Sequence, residues 1–173
     1  MTAPAPTIRL AVDVDARPIA VMSRCLIEVG LRGWSWSPER VLSALHHREH
    51  CVAVAEVNGE IAGFAIGEFG DDKLHLNLLA VAGAHQRQGI GRALMAWLEQ
   101  SALTAGITEI QLELRATNQV ARLFYQSLGF AFVRTVPRYY RSEEAAIKMQ
   151  RRIGLEAASL PPQLIEKLLN KIK

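Results

Sequence analysis

Apolar and polar positions alternate along residues 7–12, TIRLAV, and predict a first strand. Asp15 then opens a helix, with Pro18 in its first turn, Ile19, Met22 and Leu26 on one face, and Gly30 as its stop. Ser37 before Pro38 is a second helix start, serving the short run that follows. Two strands at 51–57 and 60–69 flank Asn58-Gly59, a dipeptide that favours the left-handed backbone of a tight hairpin. A further strand is predicted at 73–81 after the polar turn Gly70-Asp71-Asp72. The period then lengthens: Leu94, Leu98, Ala102 and Ala105 form the stripe of a helix that Gly106 ends. Residues 109–114, EIQLEL, alternate again, with Ile110, Leu112 and Leu114 on one face and Gln111 and Glu113 on the other. A helix over about 118–128 has Val120, Leu123, Phe124 and Leu128 inward and Gly129 as its stop, and two closing strands are expected at 130–136 and 145–151.

Strands that precede, alternate with and follow helices predict an α/β (α+β) domain with a mixed, mostly antiparallel sheet of six to seven strands flanked by helices. Residues 1–153 read as one domain. Residues 154–173 form a tail whose Leu164, Leu168 and Ile172, beside Ile165 and Leu169, predict an amphipathic helix docked on this chain or on a neighbouring subunit.

Composition narrows the function. Half the 173 residues are hydrophobic and 21% are charged, the balance of an ordinary globular chain. No apolar run approaches the roughly 18 residues of a membrane span, and the first ten residues lack a secretory pattern, so the expectation is a cytoplasmic protein with no membrane partner. A formal charge of +3 with scattered basic residues gives no support for nucleic acid. Cys25 and Cys51 lie far apart in apolar contexts and read as buried free thiols. The five histidines show no metal-ligand spacing, so no metal is expected.

The most unusual local feature is Gln86-Arg87-Gln88-Gly89-Ile90-Gly91, two glycines where a helix begins. Glycine costs roughly 1 kcal/mol against alanine inside a helix. One compensating reason is close backbone approach by an anion, because the first N–H groups of a helix are unpaired and carry partial positive charge. A Walker A loop needs Lys-Ser/Thr after its last glycine, and Arg92-Ala93 stands there. A dinucleotide fingerprint needs a third glycine where Leu94 stands.

The segment resembles the Q/R-x-x-G-x-G/A motif of the GNAT superfamily of N-acetyltransferases. With "LLAV" before it and "LELRATNQVARLFYQSLGF" after it, the stretch from about 74 to 133 is similar to the ribosomal-protein-alanine N-acetyltransferases, which acetylate protein N-termini. The Trp-Ser-Pro cluster at 34–38 and Tyr139-Tyr140 resemble the same subfamily. The likeness covers most of residues 7–152. It implies acetyl-CoA as cosubstrate, with its pyrophosphate on the backbone of Arg87, Gln88, Gly89, Ile90, Gly91 and Arg92. It implies that Leu79, Ala80 and Val81 offer edge groups to the pantetheine arm where the sheet splays, that the Val81 N–H holds the developing oxyanion, and that Asn118 reaches the cofactor. A plain N-cap is the other reading of Asn118.

Acetyl transfer to an amine needs a deprotonated nucleophile and a proton for the departing thiolate. An α-amine, with a pKa near about 8, needs a smaller push than a lysine near about 10.4. Glu113 is the candidate base, and an ion pair with Arg115 is its structural alternative. Tyr125 is the candidate acid, and a half-buried core tyrosine is the alternative. Trp34 and Trp36 are candidates for the acceptor groove or for core plugs. The stretch YYRSEEAAIKM is shorter than its counterpart in the subfamily and lacks the proline after the tyrosines, so the acceptor stays open. The expected acceptor is a protein N-terminus; a small amine or a lysine side chain is the same-fold alternative, a non-catalytic acyl-CoA sensor is a third, and the chain is expected to be a monomer or homodimer.

Overall fold

At the Asn58-Gly59 hairpin both residues take positive φ, 53° and 81°, and join β2 (His50–Val57) to β3 (Glu60–Phe69) in the tight turn that the dipeptide predicts. The computed structural model describes residues 5–140 and 143–154. The predicted tail helix lies outside them. The remaining strands are β1 (Thr7–Leu10), β4 (Leu74–Val81), β5 (Glu109–Arg115), β6 (Ala131–Tyr140) and β7 (Glu144–Arg152). Together they make one seven-stranded sheet in the order β1-β2-β3-β4-β5-β7-β6. Every neighbouring pair is antiparallel except β4 and β5.

The helices are α1 (Ala16–Leu26), α2 (Pro38–His46), α3 (Ile90–Thr104) and α4 (Gln119–Ser127). One face of the sheet packs Ala53, Ala55, Leu74, Leu76, Ile110, Leu112, Ile147 and Met149 with Leu94, Leu98 and Tyr125 of α3 and α4. The opposite face packs Val52, Val54, Phe64 and Ile66 with Ile19 and Ala20 of α1 and Val41 of α2. Helices cover both faces, and β4 alternates between buried and half-buried positions along its whole length.

Six local expectations differ from the structure. The buried stripe of α1 is Ala16, Ile19, Ala20 and Ser23, so Leu26 and the thiol of Cys25 are exposed, while Cys51 is buried and its thiol is pushed up to about 11 by burial. The helix stops at Leu26, ahead of Gly30, and Asp15 gives its carboxylate to Arg9 and to the Val12 N–H instead of capping the helix. On α3, Ala105 lies past the last turn and is exposed. The inward stripe of α4 is Ala121, Phe124, Tyr125 and Leu128, at spacings of three and four, which leaves Val120 and Leu123 outside.

Candidate functional site

The pairing of β4 decides where the sheet opens. Its partner β3 pairs Ile66 with Leu78 and Gly67 with Leu76, so Asn77 is one residue too many: a β-bulge. A single extra residue reverses the facing of everything after it. Leu74 and Leu76 therefore face α3 and α4, while Leu78 and Ala80 face α1 and α2. On its other side β4 pairs with β5 only from Leu74 to Leu76, against Ile110 to Leu112. Beyond the bulge the two parallel strands part, leaving Leu78–Val81 of β4 and Glu113–Arg115 of β5 without each other as partners. Ala82 donates its N–H to the Ala62 carbonyl across β3 (2.8 Å). By strand alternation Ala80 also turns its backbone toward β3, and Leu79 and Val81 turn theirs toward the gap. The Val81 carbonyl accepts from the Gln86 side chain at 3.0 Å.

That bond begins the glycine turn. The Gln88 side chain donates to the Ala84 carbonyl (3.1 Å), so both glutamines stitch the loop to itself. Arg87 has φ of 60°, and Gly89, the N-cap of α3, has φ of 83°. The first helical bond of α3 runs from Ala93 N–H to Gly89 carbonyl, so the amides before it lie ahead of the ladder at the positive end of the helix. A Cβ at Gly89 would meet nothing within 4 Å, so that glycine serves backbone conformation and open access. Gly91 has a different reason: a Cβ there would come 3.2 Å from the Phe124 ring, which packs α4 against the start of α3. These features fit a diphosphate-bearing coenzyme laid over residues 87–92 with its arm directed into the β4–β5 gap. Asn118 caps α4, accepting from the Ala121 N–H at 3.0 Å, with its side chain exposed.

Glu113 projects from the β5 side of the gap, on the face of α1 and α2. Its ion pair is not with Arg115. The carboxylate is bonded to His75 Nε2, from β4, and lies 3.7 Å from Lys148 Nζ of β7. Arg115 is taken by Glu144 (2.6 Å) and by the Val29 carbonyl (2.6 Å). The His75 bond is the largest reason why the Glu113 carboxyl sits below its ordinary value, and the same bond raises the imidazole of His75 against the opposing effect of burial. Tyr139 and Tyr140 close the site from β6. Their hydroxyls are held above the ordinary phenol value, first by burial, and both feel the Glu113 carboxylate.

Tyr125 is buried, edge-to-face with Phe124 and Phe130. Burial, then the nearby Tyr140, pushes its phenol well above the ordinary range, so it keeps its proton at neutral pH. Tyr125 thus feels Tyr140, and Tyr140 feels Glu113. The chemistry-bearing residues that the sequence pattern did not single out are His75 and Lys148, while Tyr139 is marked only through the Tyr139-Tyr140 resemblance. Their signal is tertiary: each comes from a different strand.

A cavity of about 250 Å³ lies on the same face, lined by Trp36, Arg40, Ser43, Ala44, His47, His50, Glu68 and Asn77. Asn77, the bulge residue, donates to Glu68 at 3.5 Å. Trp36 is buried and carries the Arg40 guanidinium 4.3 Å from its ring centroid, while Trp34 is exposed.

Residues 20–130 match the model of the acetyltransferase (GNAT) family. An uncharacterized N-acetyltransferase of Methanocaldococcus jannaschii is 36% identical over 101 residues, which are 58% of this chain and 65%, just under two thirds, of that protein. The [ribosomal protein bS18]-alanine N-acetyltransferase of Escherichia coli K12 is 35% identical over 104 residues, 60% of this chain and 70% of its own length. The crystal structure of the ribosomal-protein-S18-alanine N-acetyltransferase from Escherichia coli superposes with a TM-score of 0.73 at 28% identity, covering 90% of this chain and 99% of that one.

Proposed function

The chain belongs to the acetyltransferase (GNAT) family, and from that premise we propose that it transfers an acetyl group from acetyl-CoA to the α-amine of a protein N-terminus. The observation that carries the reading is the parting of β4 from β5 directly beside the Glu113–His75 pair, with the glycine turn at the mouth of the gap. The relationship to an enzyme that acts on a ribosomal-protein alanine favours a protein acceptor.

Acetyl-CoA supplies an activated acyl thioester when bound. The amides of Arg87, Gln88, Gly89, Ile90, Gly91 and Arg92, at the positive end of α3, would hold its diphosphate. Leu79 and Val81 would offer gap-facing backbone groups to the arm, the Val81 N–H would polarise the thioester carbonyl, and Ala80 keeps the strand anchored to β3. Asn118 sits at the start of α4 on the same side and caps it.

An acceptor arriving as an ammonium must lose a proton before its nitrogen carries a lone pair. A carboxylate held below its ordinary pKa is a weak base alone, but Glu113 and His75 share a proton and titrate as a pair. The pair receives the proton once His75 is neutral, with Lys148 compensating the carboxylate. Tyr125 is protonated at neutral pH and is the proposed donor to the leaving thiolate, a proton it yields less readily because burial raises its phenol.

Coenzyme A release measured with a panel of N-terminal peptides, lysine peptides and small amines tests the acceptor. The expected result is turnover with free N-terminal peptides, with the α-amine as the modified group by mass spectrometry. Preference for a lysine or a small amine would overturn the protein N-terminus, and coenzyme binding without turnover would indicate a sensor. Glu113→Gln is expected to lower kcat by about 10²-fold or more with the KM for acetyl-CoA little changed. Unchanged kcat removes Glu113 from the chemistry.

A further inference from the structure

Glu28 is a buried carboxylate that no step above employs; the other among the described residues, Asp15, is paired with Arg9. Glu28 follows α1 and is 3% exposed. Both its oxygens are engaged. One accepts from the Trp36 N–H at 3.0 Å and the Ser23 hydroxyl at 3.2 Å, and the other accepts from the Ser35 N–H at 2.7 Å. Two successive amides of the loop between α1 and α2 are thus gathered on one carboxylate seven and eight residues back in the chain. Charge-assisted bonds of this kind are about twice as strong as neutral ones, and a buried carboxylate keeps them only while every partner stays in place.

The loop so held leads to the acceptor side of the gap. Trp36 forms a wall of the 250 Å³ cavity, which Asn77, the bulge residue two positions from His75, also lines. Farther back in the loop, the Val29 carbonyl is taken by Arg115, two residues beyond Glu113 on the same face of β5. Glu28 therefore fixes the part of the loop nearest the cavity, and Arg115 fixes the part nearest the catalytic carboxylate.

We infer that Glu28 is a positioning residue for the acceptor: by holding the Ser35 and Trp36 amides it sets Trp36 as the cavity wall against which the residue next to the reacting amine packs. The inference rests on the proposed acetylation of an N-terminal peptide. It assigns Glu28 no contact with the reacting atoms and no part in coenzyme binding, which the glycine turn supplies on the other side of the sheet.

The test is Glu28→Gln, which keeps the shape but places an NH₂ group where one loop amide needs an acceptor. Expected are an acceptor KM raised about tenfold, kcat within about twofold and an unchanged dissociation constant for acetyl-CoA. Faster amide hydrogen exchange at Ser35 and Trp36 is expected alongside, with exchange in β2–β4 preserved. An unchanged acceptor KM in the folded variant overturns the inference, as does equal weakening of peptide and coenzyme. Trp36→Leu, which keeps an apolar side chain but removes the ring wall, is expected to raise the acceptor KM in the same way; it decides the matter if Glu28→Gln does not fold, and an unchanged KM there overturns the inference as well. A wild-type protein that turns over no peptide would remove the acceptor reading and this inference with it, whereas unaltered exchange at Ser35 and Trp36 in Glu28→Gln would remove the clamp alone.

Discussion

The turn at residues 86–92 and the loop at 27–37 stand on opposite sides of the same gap and differ in where their polar backbone ties come from. The turn is tied by near neighbours: Gln86 to Val81, Gln88 to Ala84, Ala93 to Gly89. The loop has local ties of its own, Glu28 to the Ser35 and Trp36 amides, and adds distant ones: Arg115 to Val29 across 86 positions and Arg32 to Glu143 at 3.8 Å. The turn's backbone shape is set largely by its own few residues, with Phe124 and Ser127 of α4 packed against its helical end. The loop, through its long-range partners, takes its shape also from β5 and β7, so changes far away in sequence alter it. The difference suits a division of labour in which the coenzyme end is constant and the acceptor end is adjustable.

Changes confined to one region sharpen that comparison, and the largest effect is expected at the turn. Gly89→Val forces a β-branched residue to φ of about 83°, a strain on the order of 1–3 kcal/mol that the loop relieves only by moving its amides. Acetyl-CoA affinity, measured by calorimetry, should fall about tenfold with the acceptor KM unchanged; equal loss of both would break the separation between the two regions.

A smaller effect is expected from the loop. Arg115→Gln releases the Val29 carbonyl and Glu144 and should raise the acceptor KM by about three- to fivefold in steady-state kinetics, leaving coenzyme affinity alone. A change in coenzyme affinity would mean that the loop reaches across the sheet.

The smallest concerns the pair between the regions. His75 is raised from an ordinary 6.5, so its contribution to stability is complete below about that pH and is lost as pH climbs through the raised value. Glu113 is lowered from an ordinary 4.5, so its contribution holds above about that pH and is lost as pH falls through the lowered value. The pair therefore stabilises most between the two. Wild type should exceed His75→Gln by about 0.5–1 kcal/mol in denaturant unfolding at pH 5.5, an advantage shrinking toward pH 9, with partial exposure of His75 keeping it small. In kcat/KM the wild type should gain activity with rising pH through an apparent pKa above 6.5, a limb that His75→Gln removes.

Much of the fold was readable from spacing. The strict alternation of residues 109–114 places Ile110, Leu112 and Leu114 inward and Glu113 on the other face, as the structure has them. Asn58-Gly59 and Ser37-Pro38 act as their local chemistry dictates, Ser37 accepting from the Arg40 N–H. The inward face of α4 was harder, because Val120 and Leu123 are as apolar as Phe124 and Leu128, and only the packing partner chooses between overlapping stripes. The role of Gly91 was also hidden, since its reason is a phenyl ring more than thirty residues away.

Sequence alone determined the order of elements, the glycine turn at the start of α3 and the presence of a carboxylate on the outer face of β5, because these depend on periods, φ preferences and neighbours within a few residues. Tertiary structure alone decided that Asn77 bulges, that β4 and β5 part after Leu76, and that Glu113 meets His75 in place of Arg115. The reason is physical: a bulge is fixed by which residue the partner strand accepts opposite it, and an ion pair goes to whichever charge the assembled sheet brings nearest.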